Sequence, residues 1–224
     1  MAFRLTWDAN QKLISKTLCF MLRGMILERY YSEELPFKCT LLFSWMESER
    51  FISFCHNHKE EIPLLTRLTL LSDGSLVRFL KALYLSDISV DVTAQREVPM
   101  GLEMAKFLDS KGGVNSIIRD AWLCCNGQRL VYAHSFIDAS EMGEVIQKEI
   151  NRKAMPVGIL LSDYNLPLIR DQLFITQFKS DSLAKELSTT ENIFWARYYR
   201  LRGGDGFNAA ILEVFSPGVF TGRQ

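Results

Sequence analysis

"NSIIRDAWLCCNGQRLVYAHSFID", residues 115–138, decides the fold: two apolar runs flank Asn126-Gly127. That dipeptide favours a two-residue type I′ turn, because both of its residues tolerate a left-handed backbone. The reading is a β-hairpin, and hairpins build antiparallel sheets. Working outward, "ISVDVTAQREV" (88–98) alternates as a strand and is stopped by Pro99. "IFWARYYRLR" and "FNAAILEVFSP" flank a Gly203-Gly204-Asp205-Gly206 turn and form a second hairpin. Helical periods separate the strands. Ser72-Asp73-Gly74-Ser75 caps a helix with Leu76, Phe79, Leu80 and Leu83 on one face. Short helices are expected over 100–109 and 140–152, and a polar helical segment is expected to run to Leu187 after "MPVGILLSDYNLP". Strands joined by hairpins with helices set apart imply an α+β domain: helices packed on an antiparallel sheet.

Composition narrows the function. Lys+Arg and Asp+Glu stand at 26 each, so bulk charge offers nothing for nucleic acid or an anionic membrane, and any anion must be recognised locally. The N-terminus lacks a secretory pattern, and Thr17–Leu27 is broken by Arg23 and Gly24, too short to span a bilayer. A cytoplasmic protein without a membrane span is expected. Five cysteines in a chain of this length read as reduced thiols rather than a disulfide framework. His56-Asn57-His58 has no completing ligand pattern, so no metal is expected. Residues 1–60 are read as a helical extension packed on the domain and 61–224 as the single globular domain. The segment 11–30 is read as a helix packed on that domain, with a membrane-surface helix as the less favoured option.

Charges sit among apolar neighbours on the strands. Glu213 shares a strand face with Ala209, Ile211 and Phe215; Arg119 with Ile117, Ala121 and Leu123; Arg197 with Trp195, Tyr199 and Leu201. By the same alternation, Arg96 continues the face of Val90 and Val92. A buried carboxylate requires a partner or a ligand, and Arg119 or Arg96 is the expected partner of Glu213. Arginines in excess of that carboxylate leave planar forks for a ligand's carboxylates.

"SDGSLVRFLKA", "IIRDAWLCCNGQRLVYAHSFI", "MPVGILL" and "FWARYYRLRGGDGFNAAILEVFSP" occur in an order that resembles the chorismate pyruvate-lyases, in particular their plastid and cyanobacterial branch. The resemblance spans about residues 63–217. It implies a six-stranded antiparallel sheet with helices packed on it, a small internal cavity, and cofactor-free conversion of chorismate to 4-hydroxybenzoate and pyruvate. It further implies that Arg119 grips the ring carboxylate and that Glu213 assists proton transfer or polarisation. Val157 and Gly158, in "PVG", match a backbone ligand contact, Leu76 lies near the pocket lid, and Arg96 falls near a strand arginine. His134 stands where some lyases carry an arginine, which bears on the second carboxylate. Two alternatives stay open: an effector-sensing domain of the same fold, or a lyase for a related substrate.

Overall fold

Asn126 and Gly127 take φ of 49° and 80°, the left-handed pair that a type I′ turn requires. They join two of the eight strands of a single antiparallel sheet in the computed structural model, which describes residues 35–152, 167–204 and 206–221. The strands are β1 (Thr40–Leu41), β2 (Met46–Glu47), β3 (Ile88–Pro99), β4 (Asn115–Cys125), β5 (Gln128–Asp138), β6 (Leu168–Lys179), β7 (Ile193–Gly203) and β8 (Asn208–Phe215). Their order is β1-β6-β7-β8-β5-β4-β3, with β2 also on β6. Six strands are long, and the two-residue strands β1 and β2 pair along β6. Seven helices lie among the described residues: α1 (Ser48–Asn57), α2 (Leu64–Leu71), α3 (Leu76–Tyr84), α4 (Leu102–Leu108), α5 (Glu144–Arg152), α6 (Asp181–Glu186) and α7 (Gly218–Thr221). The fold is α+β.

Both faces of the central strands are buried; every residue of β4 after Asn115 is. On one face, called the front here, α1, α2 and α3 cover one end of the sheet. Phe51, Leu70, Leu76, Leu80, Leu123, Val131 and Phe215 pack together there. At the other end of the same face α5 brings Ile146 and Ile150 against Ile117, Ile137, Leu201 and Ile211. Between these two apolar clusters runs a polar band. The back face buries Tyr132 between Trp122 and Phe37, at ring distances of 5.3 and 5.4 Å, and Tyr198 against Phe107 of α4 at 4.7 Å.

Residues 37–60, expected to belong to a helical extension, are instead built into this unit, which begins at Phe37. β1 and β2 hydrogen-bond to β6, and Phe51 of α1 is fully buried with its ring 5.6 Å from that of Trp195. Large apolar side chains at 37, 45, 46 and 51 leave water there. Residues 11–30 lie outside the described residues.

The segment 168–179, expected to be helical, is strand β6. A bulge between Asp171 and Phe174, with Gln172 at φ 52°, breaks the two-residue alternation that marks a strand. The helix that does follow, α6, starts after Ser180, whose hydroxyl accepts from the backbone N–H of Leu183 at 3.2 Å. The Ser75 cap of α3 accepts from the N–H of Arg78 at 3.4 Å. Among the described residues no helix is long and apolar enough to cross a membrane, and no cluster of His, Cys, Asp or Glu is placed to hold a metal ion. Cys39, Cys55, Cys124 and Cys125 are free thiols.

Candidate active site

The polar band follows from strand register. Arg119 on β4 pairs with Ser135 on β5, which pairs with Ile211 on β8, which pairs with Tyr199 on β7. The next row holds Ala121, Ala133, Glu213 and Arg197. Side chains in both rows point to the front, and they surround a cavity of about 60 Å³. Arg119, Ser135, Tyr199 and Glu213 line it; Ser75, Leu76 and Val77, at the start of α3, also line it, as do Ile211 and Leu201. Arg119 and Glu213 are 2% and 5% exposed. Two ionisable groups from strands separated only by β5 thus meet one small, mostly apolar space.

Glu213 is held from behind. Its Oε2 accepts from Arg197 Nε at 2.5 Å and its Oε1 from the Tyr199 hydroxyl at 3.0 Å. Arg197, not Arg119 or Arg96, is therefore its ionic partner, because β7 and β8 place Arg197 directly opposite Glu213. Arg197 Nη1 also donates to the carbonyl oxygens of Thr69 and Ser72, at 2.7 and 2.8 Å. Those carbonyls belong to the C-terminal end of α2, where a helix lacks internal donors and attracts cations. Burial works against the Arg197 charge, but the neighbouring Glu213 more than offsets it and raises the guanidinium pKa. Burial, reinforced by Glu213, also pushes the Tyr199 phenol well above its ordinary value, so it remains a donor at neutral pH. Burial lowers the pKa of Arg119, but guanidinium starts so high that the side chain stays cationic.

Leu76 lines the cavity, whereas Arg197 lies behind Glu213 and is not among the lining side chains. Two expected residues point elsewhere. Arg96 is exposed and pairs with Ile118, because a bulge between Val92 and Ala94 reverses the faces of the rest of β3. Gln95, not Arg96, shares the row of Arg119. His134 is buried on the back face, where its Nδ1 lies 2.7 Å from Asp120 Oδ1. The Tyr132 hydroxyl donates to the same Asp120 oxygen at 2.6 Å. Burial opposes ionisation of Asp120, yet the His134 and Tyr132 hydrogen bonds and the Arg96 charge prevail and hold its pKa below the usual carboxylate value. His134 thus completes a back-face cluster and does not reach the cavity. Val157 and Gly158 lie outside the described residues.

Among the cavity residues that the sequence reading did not name as site residues are Tyr199 and Arg170. Tyr199 stands two positions beyond Arg197 on one strand face, so alternation carried its signal. Arg170 lines the cavity from β6, a strand misread as helix, and nothing in the sequence pattern marked it.

The sequence matches the model of the family described as chorismate pyruvate-lyase Rv2949c-like over residues 70–222. That model is not the plastid and cyanobacterial branch which the motifs suggested. No curated protein matches the chain. The effector domain of PhnF from Mycobacterium smegmatis is a similar solved structure, with a TM-score of 0.50 and 12% identity over 66% of this chain and 91% of that one. The ligand-binding domain of a GntR-family transcriptional regulator from Bordetella bronchiseptica gives a TM-score of 0.47 at 12% identity, over 58% of this chain and 85% of that one. At 12% identity the likeness to the PhnF domain concerns the fold alone. With the family model covering well over half of its residues, the chain belongs to the chorismate pyruvate-lyase Rv2949c-like family.

Proposed function

We propose that the protein is a chorismate pyruvate-lyase, forming 4-hydroxybenzoate and pyruvate without a cofactor. The observation that carries this reading is the meeting of Arg119 and Glu213 in one small cavity on one sheet face. In the reaction the ring carbon bearing the hydroxyl loses its hydrogen as a proton while the neighbouring carbon–oxygen bond breaks. The ring becomes aromatic, and the departing enolpyruvate takes up a proton to become pyruvate. The chemistry needs an oriented acid and one managed proton, which fits the two groups present. Arg119, itself buried, offers a planar fork to the ring carboxylate. A carboxylate has about four lone-pair positions. Glu213 uses two of them for Arg197 and Tyr199, leaving capacity toward the cavity for the ring hydroxyl or the released proton. Arg197 fixes the direction in which that carboxylate points.

Pyruvate release from chorismate tests the reading. Arg119→Ala and Glu213→Gln are expected to lower kcat/KM by about 10²-fold or more, the range for removing a positioned acid–base or charge-stabilising group. Near wild-type turnover in both variants would refute the assignment. The second reading, retention of a small acid without turnover, draws support from the fold shared with the effector domain of PhnF. Tight binding of chorismate with no pyruvate released would favour it.

A further inference from the structure

We propose that Arg170 is a second anion anchor at the mouth of the cavity, selecting ligands with two separated carboxylates over those with one; this rests on the acid-binding reading above. Arg170 lies on β6 and Arg119 on β4, on opposite sides of the same cavity. Four strand spacings separate them in the sheet order, or about 19 Å of backbone across the flat sheet. Two guanidinium groups entering one cavity from different strands can each take one carboxylate of a ligand that carries two.

The state of the Arg170 side chain points the same way. Its Nη1 donates to the backbone carbonyl of Asp73 at 2.6 Å, and its guanidinium lies 5.7 Å from the centre of the Tyr199 ring. Its Nε is buried and has no hydrogen-bond partner. Nε and the adjacent Nη2 form the side-on edge of a guanidinium, the edge that grips a carboxylate through two parallel bonds. Tyr199 also hydrogen-bonds the Arg170 side chain, so Nε is the donor left unused, and a buried unused donor at a cavity wall is costly for an arginine without a ligand. Asp171, the neighbouring acid, does not answer it, because its oxygens are taken by Arg200 and Arg202 at 2.8 Å.

The same contact links binding to access. An engineered apolar cavity of about 150 Å³ admits benzene, so a space of about 60 Å³ must widen before a ring enters. Asp73 lies in the exposed turn between α2 and α3, directly before the lining residues Ser75, Leu76 and Val77. Arg170 holds that turn at Asp73 while Arg197 holds the carbonyls of Thr69 and Ser72. A ligand carboxylate accepting from Nε of Arg170 would leave the bond from Nη1 to Asp73 in place, so the dianion is retained beneath the turn.

The experiment compares two ligands by equilibrium dialysis. One is 4-hydroxybenzoate; the other is an unreactive dicarboxylate, 4-hydroxybenzoate bearing a carboxymethoxy group on the neighbouring ring carbon. Arg170→Met is expected to weaken the dicarboxylate by about 10- to 100-fold, the loss of one charge-assisted pair. The loss for 4-hydroxybenzoate, which senses only the loosened turn, should be smaller by at least about 5-fold. Arg170→Lys, which keeps the charge and loses the fork, should recover only part of the loss. Arg119→Ala should weaken both ligands. Equal losses for the two ligands in Arg170→Met, or no loss for either, overturn the anchor while leaving the lyase assay unaffected. Wild-type protein that binds both acids but releases no pyruvate removes the lyase reading and leaves the anchor standing; binding of neither removes both.

Discussion

Replacing Arg197 by methionine is the sharpest test of how the site is held. Arg197 is 1% exposed, and methionine retains much of its aliphatic volume, so the change is chiefly the loss of a guanidinium. Three bonds disappear: the 2.5 Å bond to Glu213 and those to the carbonyls of Thr69 and Ser72 at 2.7 and 2.8 Å. Glu213 then stays buried with only the Tyr199 hydroxyl, and the end of α2 loses its cation. Removing one member of a buried ion pair costs about 3–5 kcal/mol. In a chain of this size each kcal/mol moves Tm by about 2–4 °C, so a fall of about 6–20 °C is expected. Thermal and urea melts would be measured for Arg197→Met, Glu213→Gln and the double variant. The double variant should be more stable than the sum of the single losses implies, since it no longer buries an unmatched charge. A loss below about 1 kcal/mol in Arg197→Met, or additivity within about 0.5 kcal/mol, would refute the pairing.

Asp120→Asn should destabilise by about 1–3 kcal/mol at neutral pH. Because the folded pKa of Asp120 lies below its unfolded value of about 3.9, its contribution is complete above that value and is lost as pH falls through the folded pKa. Urea melts should accordingly show the gap between wild type and variant closing below about pH 4; a gap that widens on acidification would contradict the geometry. Gly206 has φ of 71°, and a Cβ there would sit 1.9 Å from the Glu141 carbonyl oxygen, so Gly206→Ala should lose more than about 2 kcal/mol in thermal melts. Gly127→Ala, equally left-handed but with open space, should lose about 1 kcal/mol. Phe51→Ala should cost about 3–5 kcal/mol in a single cooperative transition; an unchanged melt would mean that residues 37–60 are not part of the sheet unit after all.

Where local chemistry dictates geometry, the sequence was a reliable guide. Asn126-Gly127 forms its turn, Ser75 caps its helix, and Arg119 and Glu213 reach one cavity because alternation holds without interruption through 117–123 and 209–215. The misreadings trace to single extra residues. The irregularity near Thr93 sends Arg96 to the back face, and the one at Gln172 disguises β6 and conceals Arg170. Leu130, skipped between the pairs Cys124–Arg129 and Leu123–Val131, shifts the hairpin by one, so Arg119 meets Ser135 rather than His134. Bulges leave little trace in hydrophobic pattern, because the chain on either side still alternates. The partner of Glu213 was hidden for another reason: it depends on which strands become neighbours, a long-range fact that local spacing does not hold.

A strand buried on both sides poses a problem of self-knowledge for the folding chain. For β4 a slide of one residue against β5 exchanges one oily surface for another, so oiliness alone barely distinguishes right from wrong. The adjacent, oppositely charged Arg119 and Asp120 supply the missing label, since the misaligned strand would thrust an acid toward Glu213 and a guanidinium toward Tyr132 and His134. The groups proposed to handle the ligand thereby double as an alignment mark, and neutralising both at once should yield a protein that folds to more than one pairing.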